Sequence, residues 1–340
     1  MTGRRATTDA VSDVSGVVYG VRVRGLLPPA FRPYLLPRRT EPTAEAASLE
    51  ITYRAVATLP EVDEIWVSEP PAPQTPLRFA LFRLPGGFGI RIAGEDRGLA
   101  RCTPRRIGIE WSTDAVAAAH HLFSYVLPLW LEARGVPMLH GSAVTVAGRA
   151  VGFLAASGVG KSLLCAELLR LGCGFVADDG LALRRGDGGG WLCLHGPPLM
   201  RLWPSGLADR LQLAPGTLPR VRGSGDKRWL SVVGESPPAL SAPHHHELAA
   251  LYLLQRRADP DGPVRLTACA PREALLRLLE HGVAAAPAAA LGLAGRRLGL
   301  LADVVERTPV RHLSFPGAAD SAPRILAAIE RDLESAMGGG

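Results

Sequence analysis

The chain has 340 residues, of which 47% are hydrophobic and 21% are charged, values typical of a globular protein with a sizeable core. Its net charge is +6, but the basic residues are spread along the chain without a run of five, which argues against a nucleic-acid-binding tail. The length favours two domains, or one large domain with an appendage.

Secretion and membrane insertion are not predicted. Residues 1–14 carry charges but no apolar segment follows them, so they are unlike a signal peptide. The most apolar tract, residues 283–295, is too short to cross a bilayer and contains proline and glycine. The five cysteines form no C-x-x-C pair, so we expect buried free thiols. These features predict a cytoplasmic protein with no membrane or nucleic-acid partner.

The N-terminal part of the chain predicts a small β-rich domain over residues 16–112. Residues 1–15 are polar and small, and we expect them to be disordered. A proline-rich loop follows residue 67, and Gly86 and Gly87 mark the turn of a hairpin. Alternating segments rich in valine, isoleucine and tyrosine favour strands at 16–28, 48–57, 77–94 and 105–111.

From residue 113 the pattern becomes α/β and predicts a second domain over residues 113–337. Apolar residues take a helical period after Asp114, and Gly135 follows the end of that segment. Two strands, at 136–146 and 149–156, then lead into a glycine loop, a helix of about ten residues with Gly172 at its end, and a strand ending in two aspartates. The remaining pattern predicts a hairpin at 181–196, strands at 247–257 and 308–315, and helices at 271–282 and 322–337.

The glycine loop matches the phosphate-binding pattern except that its first position is alanine. Gly158 and Gly160 allow backbone N–H groups to surround a phosphate at the positive end of the next helix. Lys161 would contact the β- and γ-phosphates, and Ser162 would bind Mg²⁺. A chance occurrence in a turn is the alternative. The predicted nucleotide-binding residues of the loop are Ala155, Ala156, Ser157, Gly158, Val159, Gly160, Lys161 and Ser162.

The lysine content supports a specific role for Lys161. The chain has only two lysines among its 38 basic residues, so arginine fills the other basic positions. A lysine retained in the glycine loop indicates a position at which arginine does not serve.

Two adjacent carboxylates, Asp178 and Asp179, close the strand after the loop helix. The carboxyl end of such a strand faces the phosphate site. One carboxylate can take the proton of an attacking hydroxyl while the other binds Mg²⁺. A solvated turn between two strands is the alternative interpretation.

Residues 139–183 resemble the catalytic core of the HPr kinase family, bacterial enzymes that phosphorylate a protein serine. The matching motifs are His140-Gly141, the loop from Ser157 to Ser162, and Val176 to Asp179. The resemblance implies a P-loop fold of the HPr kinase and phosphoenolpyruvate carboxykinase type. It also implies that Asp178 is the general base, with His140 beside it, and that ATP and Mg²⁺ are bound.

The chain also departs from that family. The glutamate that binds metal in HPr kinases has no counterpart in residues 195–206, and the N-terminal half is unlike their regulatory domain. The order of short motifs instead resembles a related group that includes kinases of lasso-peptide precursors. HPr kinases form hexamers, so the resemblance leaves a homo-oligomer open.

The second lysine, Lys227, and its neighbour Arg228 follow a glycine-rich segment containing Gly223 and Gly225. A mobile lid that brings both cations onto the transferred phosphate is one interpretation. An ordinary basic hairpin tip is the other.

The sequence therefore predicts an ATP- and Mg²⁺-dependent kinase. Its acceptor would be a serine hydroxyl of a peptide or small protein, with Asp178, His140, Lys161 and Asp179 as catalytic residues and Ser162 and Asp179 as metal ligands. A kinase of a small molecule, a simple nucleotide hydrolase and a non-catalytic nucleotide-binding partner of a peptide-modification complex are the alternatives.

Overall fold

The computed structural model describes residues 10–37, 47–68, 77–221, 225–233, 244–257, 259, 262–317 and 321–337. The fold is mixed α/β, as the sequence predicts. The strands are β1 (Ser12–Val18), β2 (Val21–Leu27), β3 (Ser48–Ala55), β4 (Glu64–Val67), β5 (Arg78–Leu84), β6 (Gly87–Ala93), β7 (Gly98–Cys102), β8 (Arg106–Trp111), β9 (Met138–Leu139), β10 (Gly141–Val146), β11 (Arg149–Leu154), β12 (Gly174–Ala177), β13 (Leu181–Arg185), β14 (Trp191–Leu194), β15 (Leu199–Leu202), β16 (Arg228–Ser231), β17 (His245–Arg257), β18 (Arg265–Ala268) and β19 (Val310–Pro316). The helices are α1 (Ala115–His121), α2 (Leu127–Ala133), α3 (Lys161–Arg170), α4 (Pro271–Glu280), α5 (Ala285–Ala290), α6 (Ala294–Arg307) and α7 (Ser321–Met337).

The first sheet contains eight strands in the order β1-β2-β3-β8-β7-β6-β5-β4. The single strand predicted for residues 16–28 is wrong, because Tyr19 and Gly20 both have positive φ and form a hairpin turn between β1 and β2. The predicted disorder of residues 1–15 is also wrong for residues 12–15, which belong to β1, where Val14 is buried in the core. Residues 1–9 lie outside the described part.

The helical segment after residue 113 packs on the first sheet. Asp114 caps α1, and its Oδ1 accepts a hydrogen bond from the Ala117 backbone N–H at 2.8 Å. A π-helical turn at Leu122–Val126 joins α1 to α2. Residues of both helices share one buried cluster with β1, β2, β3 and β8. Because this cluster contains residues from both sides of position 113, the domain boundary between residues 112 and 113 stays a prediction.

The second sheet carries helices on both faces of its parallel strands. Its main order is β12-β10-β11-β17-β14-β13-β9, and β19 pairs with β17 and β18. Val151 and Phe153 of β11 pack with α3 and α7, whereas Ala150 and Leu154 pack with α4 and α6. Alternate side chains of β11 point to opposite faces of the sheet, so this one strand packs against a helical layer on each side. Among the described residues, no helix is both long and apolar enough to cross a membrane.

Candidate functional site

Three chain segments meet at one edge of the second sheet. Strand β10 runs antiparallel to both β11 and β12, so the start of β10 lies beside the ends of the other two. Gly141 pairs with Leu154, and Ala143 pairs with Ala177. His140, the glycine loop and the two aspartates are consequently neighbours, although 39 residues separate His140 from Asp179.

The glycine loop connects β11 directly to α3, as predicted. Gly158 and Gly160 have φ values of 88° and 110°, a region in which a residue with a side chain is strained. The backbone therefore turns in a way that leaves the first N–H groups of α3 facing the loop. Gly172 follows α3 with a φ of 96°, which confirms the predicted helix end. Ser162 lies in the first turn of α3.

Lys161 is the first residue of α3, and its side chain is buried. Its Nζ donates to the carbonyl oxygen of Ala155 at 2.7 Å and lies 3.4 Å from that of Ala156. Burial lowers the pKa of Lys161, while the nearby charge of Asp178 raises it. Neutral carbonyl oxygens do not balance the charge of a buried ammonium group, so Lys161 can also bind an anion such as a phosphate.

His140 lies at a break between β9 and β10, so the single predicted strand over residues 136–146 is wrong at this point. The His140 Nδ1 lies 3.2 Å from the backbone oxygen of Asp179, and because a carbonyl only accepts, Nδ1 carries the proton. Burial, together with Lys161 and Arg201, lowers the pKa of His140 to about 4. His140 is therefore a neutral imidazole at pH 7, with its lone pair on Nε2.

Gly141 permits the close packing beside His140. A Cβ atom at this position would lie 2.6 Å from the backbone oxygen of Phe153 and 2.8 Å from Leu181. Any larger residue would push β10 away from β11, because real Cβ atoms do not approach backbone oxygens so closely.

Asp178 follows β12 and is 5% exposed. Its Oδ1 accepts a hydrogen bond from the Ser142 hydroxyl at 2.6 Å, and its Oδ2 accepts one from the Arg201 backbone N–H at 3.0 Å. Each carboxylate oxygen keeps a further lone pair. Asp178 is thus a fixed, buried carboxylate that can accept one more proton donor.

Asp179 has different surroundings from its neighbour. Its carboxylate pairs with the Arg201 guanidinium and lies 3.6 Å from His140 Nδ1, and 34% of its side chain is exposed. The Arg201 guanidinium also lies 5.8 Å from the ring centre of Trp229. The two carboxylates therefore share Arg201 but differ in exposure.

Lys227 and Arg228 lie where β15 pairs with β16. The Lys227 Nζ lies 5.4 Å from the ring centre of Trp203, and Arg228 Nη2 lies 3.3 Å from Asp226. Burial lowers the pKa of Lys227, with Arg201 acting in the same direction and Asp178 against it. Lys227 is thus electrostatically coupled to the aspartate site, whereas Gly223 lies outside the described residues.

A small cavity adjoins both aspartates, with a volume of about 30 Å³. That volume holds two or three water molecules at about 10–15 Å³ each. The first sheet reaches this cavity through Tyr19 and, by the 3-10 turn after β2, through Tyr34. Arg201 and Trp229 complete its polar and aromatic walls.

Sequence reasoning missed several of these residues. Ser142, Tyr19 and Tyr34 have no pattern that separates them from ordinary strand and turn residues. Arg201 lies in a Leu-Met-Arg-Leu-Trp segment after the aspartates, a pattern that fits a packing residue as well as a substrate contact.

Comparisons with known proteins add little to this geometry. No protein-family model matches the sequence, and no curated protein matches it either. Among solved structures, the HPr(Ser) kinase/phosphatase from Coxiella burnetii aligns over 59% of this chain and 93% of its own, with 15% identity and a TM-score of 0.31. A TM-score of this size does not define the fold or the activity of this chain.

Proposed function

We propose that this chain is an ATP- and Mg²⁺-dependent kinase that transfers the γ-phosphate to a serine hydroxyl of a peptide or small protein. The observation that carries the proposal is the pair Asp178 and Asp179 at the sheet edge that also holds the glycine loop and Lys161. A hydrolase needs one carboxylate there, whereas transfer to a hydroxyl uses a base in addition to a metal ligand.

The residues present fit a nucleoside triphosphate. The turn at Gly158 and Gly160 and the start of α3 provide N–H donors and a positive helix end for phosphate oxygens. Lys161 already lies in the loop, and Lys227 and Arg201 add positive charge beside it. The loop with Lys161 would hold the β- and γ-phosphates as a P-loop does.

The residues present also fit Mg²⁺. Asp179 offers a partly exposed carboxylate, and Ser162 offers a hydroxyl in the first turn of α3. Oxygen ligands of this kind, with water and phosphate oxygens, are those that Mg²⁺ takes. When bound, the ion would supply positive charge that neutralises the transferring phosphoryl group.

Asp178 would act as the base. The serine oxygen attacks the γ-phosphorus, its proton passes to Asp178, and the bond to the β-phosphate oxygen breaks with its electron pair leaving on ADP. Ser142 and the Arg201 N–H hold the carboxylate in place during this step. His140 orients Asp179 through the hydrogen bond from Nδ1 to the backbone oxygen.

The cavity beside the aspartates would take the acceptor hydroxyl. Its volume of about 30 Å³ leaves room for a small hydroxyl-bearing group next to Asp178. Tyr19 and Tyr34, from the first part of the chain, line this cavity and would contact the acceptor group itself.

The test is mass spectrometry of serine-containing peptides incubated with the full chain and Mg-ATP. A gain of one phosphate at a mapped serine, absent when that serine is replaced by alanine, supports the proposal. Phosphate release from ATP without any acceptor, at about 1 per second or more, indicates a hydrolase instead. ATP binding with no phosphate transfer and no hydrolysis indicates a non-catalytic partner.

A further inference from the structure

A cluster of three metal-ligand side chains lies away from the aspartate site. Cys269 follows β18, Glu273 lies in the first turn of α4, and His312 lies in β19. One ligand atom of each lies within 4.8 Å of those of the other two, and this is the one such group of three among the described residues. Thiolate, carboxylate and imidazole are the ligand types that zinc takes in proteins.

The fold explains why these residues meet. Thr267 of β18 pairs with His312, and the Cys269 N–H donates to the Val310 backbone oxygen at 3.1 Å, so the cysteine lies next to β19. Pro271 then starts α4 and returns the carboxylate of Glu273 to the same place. The expectation of buried cysteines is wrong for Cys173 and Cys269, which are partly exposed.

The distance between two of the ligand atoms suits a tetrahedral ion. His312 Nε2 lies 3.3 Å from Glu273 Oε1. Two ligands bonded at about 2.0–2.1 Å around a tetrahedral centre are separated by about 3.3 Å. A plain hydrogen bond between the two side chains has a similar length, so the distance allows an ion without requiring one.

The other nitrogen of His312 lies beside an amide side chain that can hold a metal-bound imidazole in place. Its Nδ1 lies 3.3 Å from the side-chain nitrogen of Gln255 on β17. Turning that amide by 180° presents its oxygen to Nδ1–H, leaving the Nε2 lone pair for an ion. In that orientation Gln255 would accept a hydrogen bond from His312 and hold the ring toward the ion.

We propose that Cys269, Glu273 and His312 bind a zinc ion, with a water molecule as the fourth ligand. The thiol releases its proton to solvent on binding, so thiolate and carboxylate together balance the charge of the ion. Arg277 lies 3.8 Å from Glu273 but 3.1 Å from Glu280, so it retains a partner when Glu273 turns to the metal.

The proposed zinc has a structural consequence for the aspartate site. Helix α4 begins at the cluster, and the backbone oxygen of His281 at its other end accepts a hydrogen bond from the His140 N–H at 2.5 Å. An ion that fixes the first turn of α4 thereby stabilises the helix that holds the strand break at His140. The zinc site itself does not depend on the proposed kinase activity, and it can be tested without an assay of phosphate transfer.

Cobalt absorption of the full chain tests the proposal. After removal of metal by a chelator, Co²⁺ should produce a thiolate charge-transfer band that saturates at one equivalent and disappears on adding Zn²⁺. The Cys269→Ser variant should lose the band, whereas Cys173→Ser, which alters another partly exposed cysteine outside the cluster, should keep it. A Mg²⁺ site at Asp179 contains no sulfur and would not produce this band.

A second variant keeps the test informative if Cys269→Ser does not fold. Glu273→Gln preserves the size of the side chain and should weaken zinc binding about 10-fold or more, measured by chelator competition. The proposal is overturned if wild type shows no thiolate band, if Cys173→Ser abolishes it, or if Glu273→Gln binds zinc as tightly as wild type.

Discussion

Replacing Asp178 with asparagine separates the charge of this side chain from its packing. Asparagine can keep its oxygen on the Arg201 N–H and turn its amide toward Ser142, whose hydroxyl accepts as well as donates. The two hydrogen bonds therefore persist in neutral form. What the substitution removes is the negative charge and the basic oxygen.

The size of each effect follows from these contacts. Hydrogen bonds to a charged group contribute about 1.5–3 kcal/mol and neutral ones about 0.5–1.5 kcal/mol, so Asp178→Asn should lower the free energy of unfolding by about 2 kcal/mol. Asp178→Ala leaves the Ser142 hydroxyl and the Arg201 N–H without an acceptor and should lower it by about 2–6 kcal/mol. Loss of the base should slow phosphate transfer about 10²- to 10⁴-fold in both variants.

The assay compares three rates on one acceptor. Phosphate transfer from Mg-ATP to a serine peptide found by the mass-spectrometric screen is measured for wild type, Asp178→Asn and Asp187→Asn. Asp187 is exposed in the turn between β13 and β14 and is the matched control. ATP binding, measured by calorimetry, should survive in both variants. Transfer by Asp178→Asn at the rate of the control would refute the assignment of the base.

Two further substitutions test other parts of the site, and a third tests the buried His195 that follows β14. Lys161→Ala should weaken ATP binding about 10- to 100-fold in calorimetry, because it removes a charge-assisted contact, whereas Arg170→Ala at the far end of α3 should not. Arg201→Lys should slow transfer while sparing ATP binding, since an ammonium group cannot reproduce the planar contacts of the guanidinium with Asp179 and Trp229; equal rates would contradict this role. Burial lowers the pKa of His195 to about 3, so the unfolded chain binds the extra proton between about pH 6.5 and 3, and stability falls as the pH falls through that window. The free energy of unfolding, measured in urea, should fall between about pH 7.5 and 5, and this fall should be about 2 kcal/mol smaller in His195→Gln than in wild type. An equal fall in both proteins would show that His195 does not titrate in this way.

Local features of the site were predictable because their signals lie close together in the sequence. The glycine loop, α3 and Gly172 occupy 18 residues, and their order fixes a strand, a turn and a capped helix. Asp114 likewise marks the start of α1 through its own hydrogen bond. In each case the residue acts on backbone only a few positions away.

Other features could not be predicted because they depend on pairing between distant segments. Tyr19 has a positive φ that its residue type does not indicate, and the single Gly20 beside it does not distinguish the β1–β2 hairpin from one continuous strand. Arg201 reaches the aspartates only because β15 lies beside the end of β12. The same holds for Cys269 and His312, which β18 and β19 bring together across 43 residues of chain.

The two aspartates show how a local motif gains its chemistry from the fold. Adjacent residues on a regular strand point to opposite faces, so a continued strand would separate the two carboxylates. The strand instead ends at Ala177, and Asp179 adopts a φ of 67°, a conformation that aspartate tolerates better than most residues. Arg201 can then bind Asp178 through its backbone and Asp179 through its guanidinium. One backbone angle thus gives neighbouring, identical side chains a buried and an exposed environment, and the proposed division between base and metal ligand depends on it.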